Sequence, residues 1–185
     1  MLNQIQIART FIELQTGNIV NAATEAIVNA ANSRLSGGGG VDGAIHRAAG
    51  KELYELTKPL GRCPTGSAVI TGAGRLPLPT LYIIHAVGPF YNPLKQEESA
   101  RLLAGAYRSS LILADQHNLK SIAFPSISTG AYRYPIRQAA RVALQTVIDY
   151  LKSTESSLEL VRFILFSPKD LQAYQETLLT LHNEE

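Results

Sequence analysis

Cysteine is nearly absent. Cys63 stands alone in 185 residues, so no disulfide closes within the chain and no thiolate-rich zinc site can be assembled. A lone thiol also fits a reducing compartment. No apolar run reaches the length of a membrane span, and the opening MLNQIQIARTF lacks the basic-then-apolar order of an export signal. A soluble, cytoplasmic protein is expected. Charge is sparse as well: 17% of residues are charged and the net charge is +2. Lys and Arg form no tract with interleaved aromatics, which disfavours nucleic acid as a partner and leaves room for a small anionic ligand. No repeat and no low-complexity segment appears. With 45% hydrophobic residues, the length suits one well-buried domain over residues 1–185 and not two.

What is present is an alternation of strand and helix patterns, the signature of a layered α/β/α domain. Strands are expected at 5–7 and 11–14, as a hairpin or two edge strands, and at 26–31, 67–71, 81–87, 121–125 and 160–166. Helices are expected over 42–56, with Gly50 a point of interruption, around 102–113, over 136–151 and over 168–182, the last with Pro168 in its first turn. Three polar or glycine-rich segments follow strands: Gly17–Asn18–Ile19, the stretch from Asn32 to Gly40, and Ser126 to Tyr134. In an open, mostly parallel sheet all three would meet at the carboxyl edge, where ligands bind. An elongated ligand with its phosphates near the middle would touch each of them.

The segment VNAANSRLSGGGGVDGAIHRAAG, residues 28–50, is the most informative. Four consecutive glycines, Gly37 to Gly40, carry a high entropic cost inside a compact domain. A plain turn is one explanation. The helix that begins at Val41 and Asp42 favours the other, a cradle of bare N–H groups and a positive dipole end for a phosphate. The spacing matches neither a Walker loop nor a Rossmann fingerprint, so ATP hydrolysis and hydride transfer are poor readings. Ser128–Thr129–Gly130–Ala131–Tyr132 is a second candidate cradle, although Ser-Thr-Gly alone is common in turns. Tyr132 and Tyr134 offer aromatic faces for a sugar or are simply half-buried on the loop.

Asp42 and His46 lie four apart and share a helix face. Asp42 can cap the helix, or it can orient a water or grip a sugar hydroxyl. His46, and equally His85 at a strand end, are compatible with satisfied structural histidines. Asn29 can bond its local backbone. Asn32, nearer the glycine loop, suits contact with a polar ligand such as ribose.

In order, the chain carries GNI (17–19), VNAAN (28–32), GGGGVDGAIHRAAG (37–50), CPTG (63–66), HAVGP (85–89) and FPSISTGAYRYP (124–135). Together these motifs resemble macrodomains of the MacroD type over nearly the whole chain. The resemblance implies a three-layer α/β/α fold with a mixed six-stranded sheet and an ADP-ribose cleft. It implies hydrolysis of the ester joining ADP-ribose to Asp or Glu side chains, and deacetylation of O-acetyl-ADP-ribose, with no metal or cofactor. ADP-ribosylated proteins would be the partners, and a monomer is expected. A non-catalytic ADP-ribose reader is the alternative, and a nucleic-acid regulator a weaker one.

Carried over by motif, the distal-ribose and catalytic positions fall on Asn32, Asp42 and His46. The diphosphate positions fall on Gly39, Gly40 and Val41 and on Ser128, Thr129, Gly130, Ala131 and Tyr132. The adenine positions fall on Asn18 and Ile19, with Phe166 as a stacking partner for the base. Two departures stand out. The family usually has Asp where this chain has Asn18, and commonly has Gly where this chain has Arg133.

Overall fold

The computed structural model describes residues 1–184. Its strands are β1 (Gln4–Ile7), β2 (Thr10–Thr16), β3 (Ala26–Ala30), β4 (Ala68–Gly72), β5 (Tyr82–Ala86), β6 (Ser121–Phe124) and β7 (Leu160–Leu165). The helices are α1 (Gly40–Ala49), α2 (Glu52–Thr57), α3 (Gln96–Gln116), α4 (Ile136–Ser153) and α5 (Pro168–Asn183). All seven strands form one sheet in the order β1–β2–β7–β6–β3–β5–β4. The five central strands run parallel, and β1 and β4 close the two edges antiparallel to their neighbours.

The mixed sheet matches expectation, but its strand number does not: there are seven strands, not six. The additional edge is β1, four residues that pair with β2 alone through a tight turn at Ala8 and Arg9. The hairpin signal at 5–7 and 11–14 already marks it, so residue patterning described this edge better than the resemblance did.

Buried parallel strands lose the polar–apolar alternation, because both faces are covered. β3 shows this most fully. Ala26 and Val28 face a core shared with α3, α4 and α5, whereas Ile27 faces Ile45, Ala49 and Leu53 of α1 and α2. The sheet is thus the middle layer of three. The predicted helix over 42–56 is broken into α1 and α2 at Gly50, whose φ of +84° suits glycine. The Ala49 carbonyl at that break accepts the Arg75 N–H at 2.8 Å, which ends the first helix against the sheet's far loop.

Strand order also orders the loops. At the carboxyl edge, the segments after β2, β7, β6, β3 and β5 follow one another across the sheet. The register pairs Thr16 with Leu165, so Asn18 and Phe166 leave the sheet side by side at one end. The glycine loop after β3 lies two strands further along.

Candidate functional site

A cleft of about 380 Å³ opens at this edge between the loop after β3 and the loop after β6. That size is in the range of small-ligand sites. Its first wall is shaped by Asn32. The side-chain Nδ2 donates to the Gly37 carbonyl at 3.0 Å, and Oδ1 accepts the N–H groups of Arg34 and Ser36. Gly37 and Gly40 have φ of +76° and +57°, conformations that strain any residue with a Cβ. Gly37 is also pressed by the Tyr54 hydroxyl, which would lie 2.5 Å from an added Cβ.

α1 then begins without a side-chain cap, and its first internal bond runs from the Gly43 N–H to the Gly39 carbonyl. The N–H groups of Gly40, Val41 and Asp42 are therefore free of helical partners. They face the cleft at the positive end of the helix dipole, as an anion site requires.

The opposite wall is the turn after β6. Two buried tyrosines pin its start. The Tyr107 hydroxyl donates to the Pro125 carbonyl and accepts the Ile127 N–H, and the Tyr174 hydroxyl donates to Ser126 Oγ. Tyr134 N–H returns to the Ser128 carbonyl at 2.9 Å. Ser128 has a φ of +69°, and its Oγ is buried with no partner among the described residues. A buried hydroxyl without a bond costs about 1–3 kcal/mol, so a polar ligand in the cleft would gain from meeting it. Tyr132 stacks on Phe90 with ring centroids 3.8 Å apart. Burial, then the nearby Asp42 charge, push its phenol above the usual range.

Arg133 sits at φ +60°, exposed at the tip of this turn. The chain thus keeps the left-handed backbone that glycine would give at this position, but bears the strain of a Cβ.

Asp42 stands at the floor, 6% exposed. Its Oδ1 is taken by two groups: Asn29 Nδ2 donates at 2.8 Å and His46 Nε2 lies at 3.1 Å. Its Oδ2 accepts no hydrogen bond among the described residues and lies beside Gly38 on the cleft wall. One oxygen is anchored and the other is left for the cleft. Burial raises the carboxyl's pKa above the usual range, and the bonds from Asn29 and His46 offset only part of this.

Behind Asp42 runs a buried polar chain. Thr71 Oγ1 donates to the Gly72 carbonyl, so it must accept from His85 Nε2 at 3.0 Å. His85 Nδ1 then accepts from Asn29 Nδ2 at 3.2 Å, and the second Nδ2 hydrogen goes to Asp42. The chain fixes the tautomer of His85 and the amide orientation of Asn29, because a flipped Asn29 would turn its carbonyl on the carboxylate.

Burial lowers the His85 pKa from 6.5 to about 4, with the His46 charge adding to it. The unfolded chain therefore binds the extra proton first as pH falls from 6.5 to 4. Folding stability should fall across that window by roughly 3 kcal/mol and flatten below it. Denaturant melts of His85→Gln beside wild type would show this as a shallower slope in the variant.

The sequence-predicted residues divide by location. Asn32, Gly39, Gly40, Val41, Asp42, Ser128, Gly130, Ala131 and Tyr132 line the cleft. His46 does not: it stands behind Asp42 with its ring 4.4 Å from that of Tyr54, holding the acid from the helix. Thr129 turns back to the Ser126 carbonyl. Ile19 is core, packed near Ile27 and Ile45, so only its main chain is free for a ligand. Asn18 caps a 3-10 turn by accepting the Val20 N–H at 3.2 Å, and Phe166 is almost fully exposed nearby. Neither Asn18 nor Phe166 lines the cleft; both lie at the same sheet edge, on the segments after β2 and β7.

Sequence reasoning missed the roles of Asn29, His85 and Thr71. Asn29 bonds the acid and not the local backbone, a pairing across β3, β5, β4 and α1 that no spacing reveals. Gly88 was also missed. A Cβ there would come within 2.2 Å of Ser128 Oγ, and the only sequence signal was its place in HAVGP.

Among the described residues no group of three or more His, Cys, Asp or Glu could hold a metal ion. Among the described residues no helix is long and apolar enough to cross a membrane.

Comparison with known proteins agrees with this geometry. A family model, the Macro domain, matches residues 28–143. A macro domain-containing protein of Caldanaerobacter subterraneus subsp. tengcongensis is 55% identical over 169 residues, covering 89% of this chain and 94% of that protein. A Citrobacter rodentium protein named O-acetyl-ADP-ribose deacetylase is 47% identical over 166 residues, covering 88% of this chain and 92% of that one. Among solved structures, the Oceanobacillus iheyensis macrodomain with ADP superposes with a TM-score of 0.90 at 43% identity, covering 98% of this chain and 97% of that one. By sequence and by fold, the chain belongs to the macro domain family.

Proposed function

We propose that the cleft binds ADP-ribose and that the protein hydrolyses acyl esters on its distal ribose. Such esters are O-acetyl-ADP-ribose and ADP-ribose linked to Asp or Glu side chains. The carrying observation is Asp42, a buried acid with one oxygen anchored and one facing the cleft between the glycine loop and the Ser128 turn. The name of the Citrobacter relative and the ADP in the Oceanobacillus structure support the same ligand class.

In this reading the adenine lies by Asn18 and Phe166, the diphosphate crosses between the two loops, and the distal ribose reaches Asn32 and Asp42. Asn32 keeps one Nδ2 hydrogen for a ribose hydroxyl, since the other is spent on Gly37. The amides of Gly40 to Asp42 and of the Ser128 turn hold the phosphates, so most of the rate gain comes from placing a water against the ester. Asp42 Oδ2 orients that water, directly or through a substrate phosphate oxygen, and takes its proton as the ester opens to acid and ADP-ribose. His46 and Asn29 hold the carboxylate still. No step calls for a metal or cofactor. The whole of residues 1–185 acts as one such domain, working as a monomer.

Time-resolved detection of free ADP-ribose from a Glu-linked substrate tests the reading. Release by the wild-type protein supports a hydrolase. Tight ADP-ribose binding with no release from either ester would make it a reader.

The adenine end gives a smaller prediction. Asn18 accepts the adenine amino group with a neutral carbonyl already shared with Val20. Charge-assisted bonds are worth ~1.5–3 kcal/mol against ~0.5–1.5 for neutral ones. Asn18→Asp, which also caps the turn, should tighten ADP-ribose several-fold. Calorimetry giving equal or weaker affinity would exclude this contact.

A further inference from the structure

Six cations are neutralised in ion pairs: Arg75, Lys95, Lys120, Arg137, Arg141 and Arg162. Arg34, Arg47, Lys58 and Arg62 form none among the described residues, and all four are exposed. Arg34, Arg47 and Arg62 lie on segments that adjoin the Gly37–Gly38 wall of the cleft. Arg34 stands two residues after Asn32, and its turn is tied to the Arg62 segment by the Cys63 N–H donating to the Ser33 carbonyl. The Arg47 guanidinium lies next to Gly43, which packs on the Gly38 carbonyl.

A second depression of about 350 Å³ is lined by Arg34, Tyr54 and Lys58, with Glu55 its single carboxylate, and ends at Gly61 beside Arg62. Tyr54 forms the partition: its hydroxyl presses on Gly37 and its ring on His46. Tyr54 and His46 thus stand between the depression and Asp42. Tyr54, Leu56 and Leu60 add exposed apolar surface on the same segment.

We infer that this depression and its cationic rim receive an acidic polypeptide, the stretch of a modified protein that flanks the ester-linked side chain. The inference rests on the ADP-ribosyl hydrolase reading and names its substrate class: esters set among further carboxylates. Glu55 opposes any polyanion alike, but the exposed side chains of Tyr54, Leu56 and Leu60 offer apolar contact that a polypeptide can use and a phosphate chain cannot. Unpaired cations lose no existing partner on meeting carboxylates, so complementarity there favours the correct chain.

The test uses full-length protein and two peptides carrying ADP-ribose on a central residue through a hydrolysis-resistant linkage. One is flanked by Asp and Glu, the other by Ser and Gly. Wild type should bind the acidic conjugate about three- to tenfold tighter than the neutral one at low salt. That advantage should vanish at high salt. In Lys58→Glu/Arg62→Glu the preference should reverse, while affinity for free ADP-ribose and O-acetyl-ADP-ribose turnover stay unchanged. Equal binding of the two conjugates by wild type would overturn the inference and leave the hydrolase reading intact. So would an equal loss for free ADP-ribose in the variant, or an oligonucleotide that displaces the conjugate better than the acidic peptide does. Failure of wild type to bind free ADP-ribose and both conjugates would overturn both readings.

Discussion

Asp42→Asn is expected to lower ADP-ribose release from a Glu-linked substrate by about 10²- to 10⁴-fold, the usual worth of a positioned general base. ADP-ribose affinity should change little. The amide keeps an oxygen for Asn29 Nδ2 and sets an NH₂ donor where Oδ2 stood, so the floor of the cleft retains its shape while the base is lost. Stability should not fall with activity. Burial raises the Asp42 pKa, so the folded protein takes up this proton before the unfolded chain does. The ionised carboxylate therefore costs stability at neutral pH, and that cost fades as pH drops through the raised value. Asn removes the cost, and the variant's melting temperature at neutral pH should equal or exceed that of wild type. The wild-type rate should also fall as pH drops through the raised Asp42 pKa, a limb absent from any residual activity of the variant. Undiminished release by Asp42→Asn would remove this residue from the chemistry. A large fall in melting temperature would instead assign it a structural role.

Gly43→Ala is expected to have the second-largest effect, on binding. Gly43 is the first residue of α1 to make a helical bond, and the Gly38 carbonyl sits where its Cβ would go, 2.6 Å away. The obstacle is main chain, so no rotamer relieves it. The Gly38–Gly40 loop must move outward by several tenths of an ångström, and its amides then no longer converge on one phosphate. A loss of about tenfold or more in ADP-ribose affinity follows if two such bonds weaken, at roughly 1 kcal/mol each or more. Ala is otherwise a better helix residue than Gly, so the fold should persist. Calorimetry and far-UV circular dichroism on the same sample separate the two. Full affinity in Gly43→Ala would mean that the glycine loop does not hold the phosphates.

The two variants probe features of different legibility. The glycine run and the helix after it are local: Gly37 to Gly40 and Asp42 lie within six residues, so their meaning is readable from order alone. The apolar runs at 26–31, 81–87, 121–125 and 160–166 are likewise local, since strands covered on both faces must be apolar throughout. The hairpin that makes β1 a seventh strand was visible for the same reason. The support of Asp42 was not. Asn29, His85 and Thr71 are 13, 43 and 29 residues from it, and each residue type has an ordinary structural explanation when taken singly. Only the register that sets Asn29 beside His85, and His85 opposite Val69, two residues before Thr71 on β4, turns three unremarkable side chains into a line of donors and acceptors.

His46 shows the same division within one helix. Its spacing from Asp42 placed both on one face, and the structure keeps them 3.1 Å apart. Whether the ring met ligand or backed the acid depended on where α2 returns, because Tyr54 fills the far side. Arg133 is the converse case. Its side chain gave no hint that the backbone would adopt φ +60°, and the loop's closing bonds impose it.

Taken alone, the order of residues determined the alternating elements, the glycine loop that opens a helix and the presence of an acid beside it, because each depends on neighbours within a few positions. Tertiary structure decided which oxygen of that acid remains free, which histidine is kept neutral, and how the five loops line up along one edge. Those outcomes arise from contacts between strands distant in the chain, where burial and hydrogen-bond partners are fixed only once the sheet has assembled.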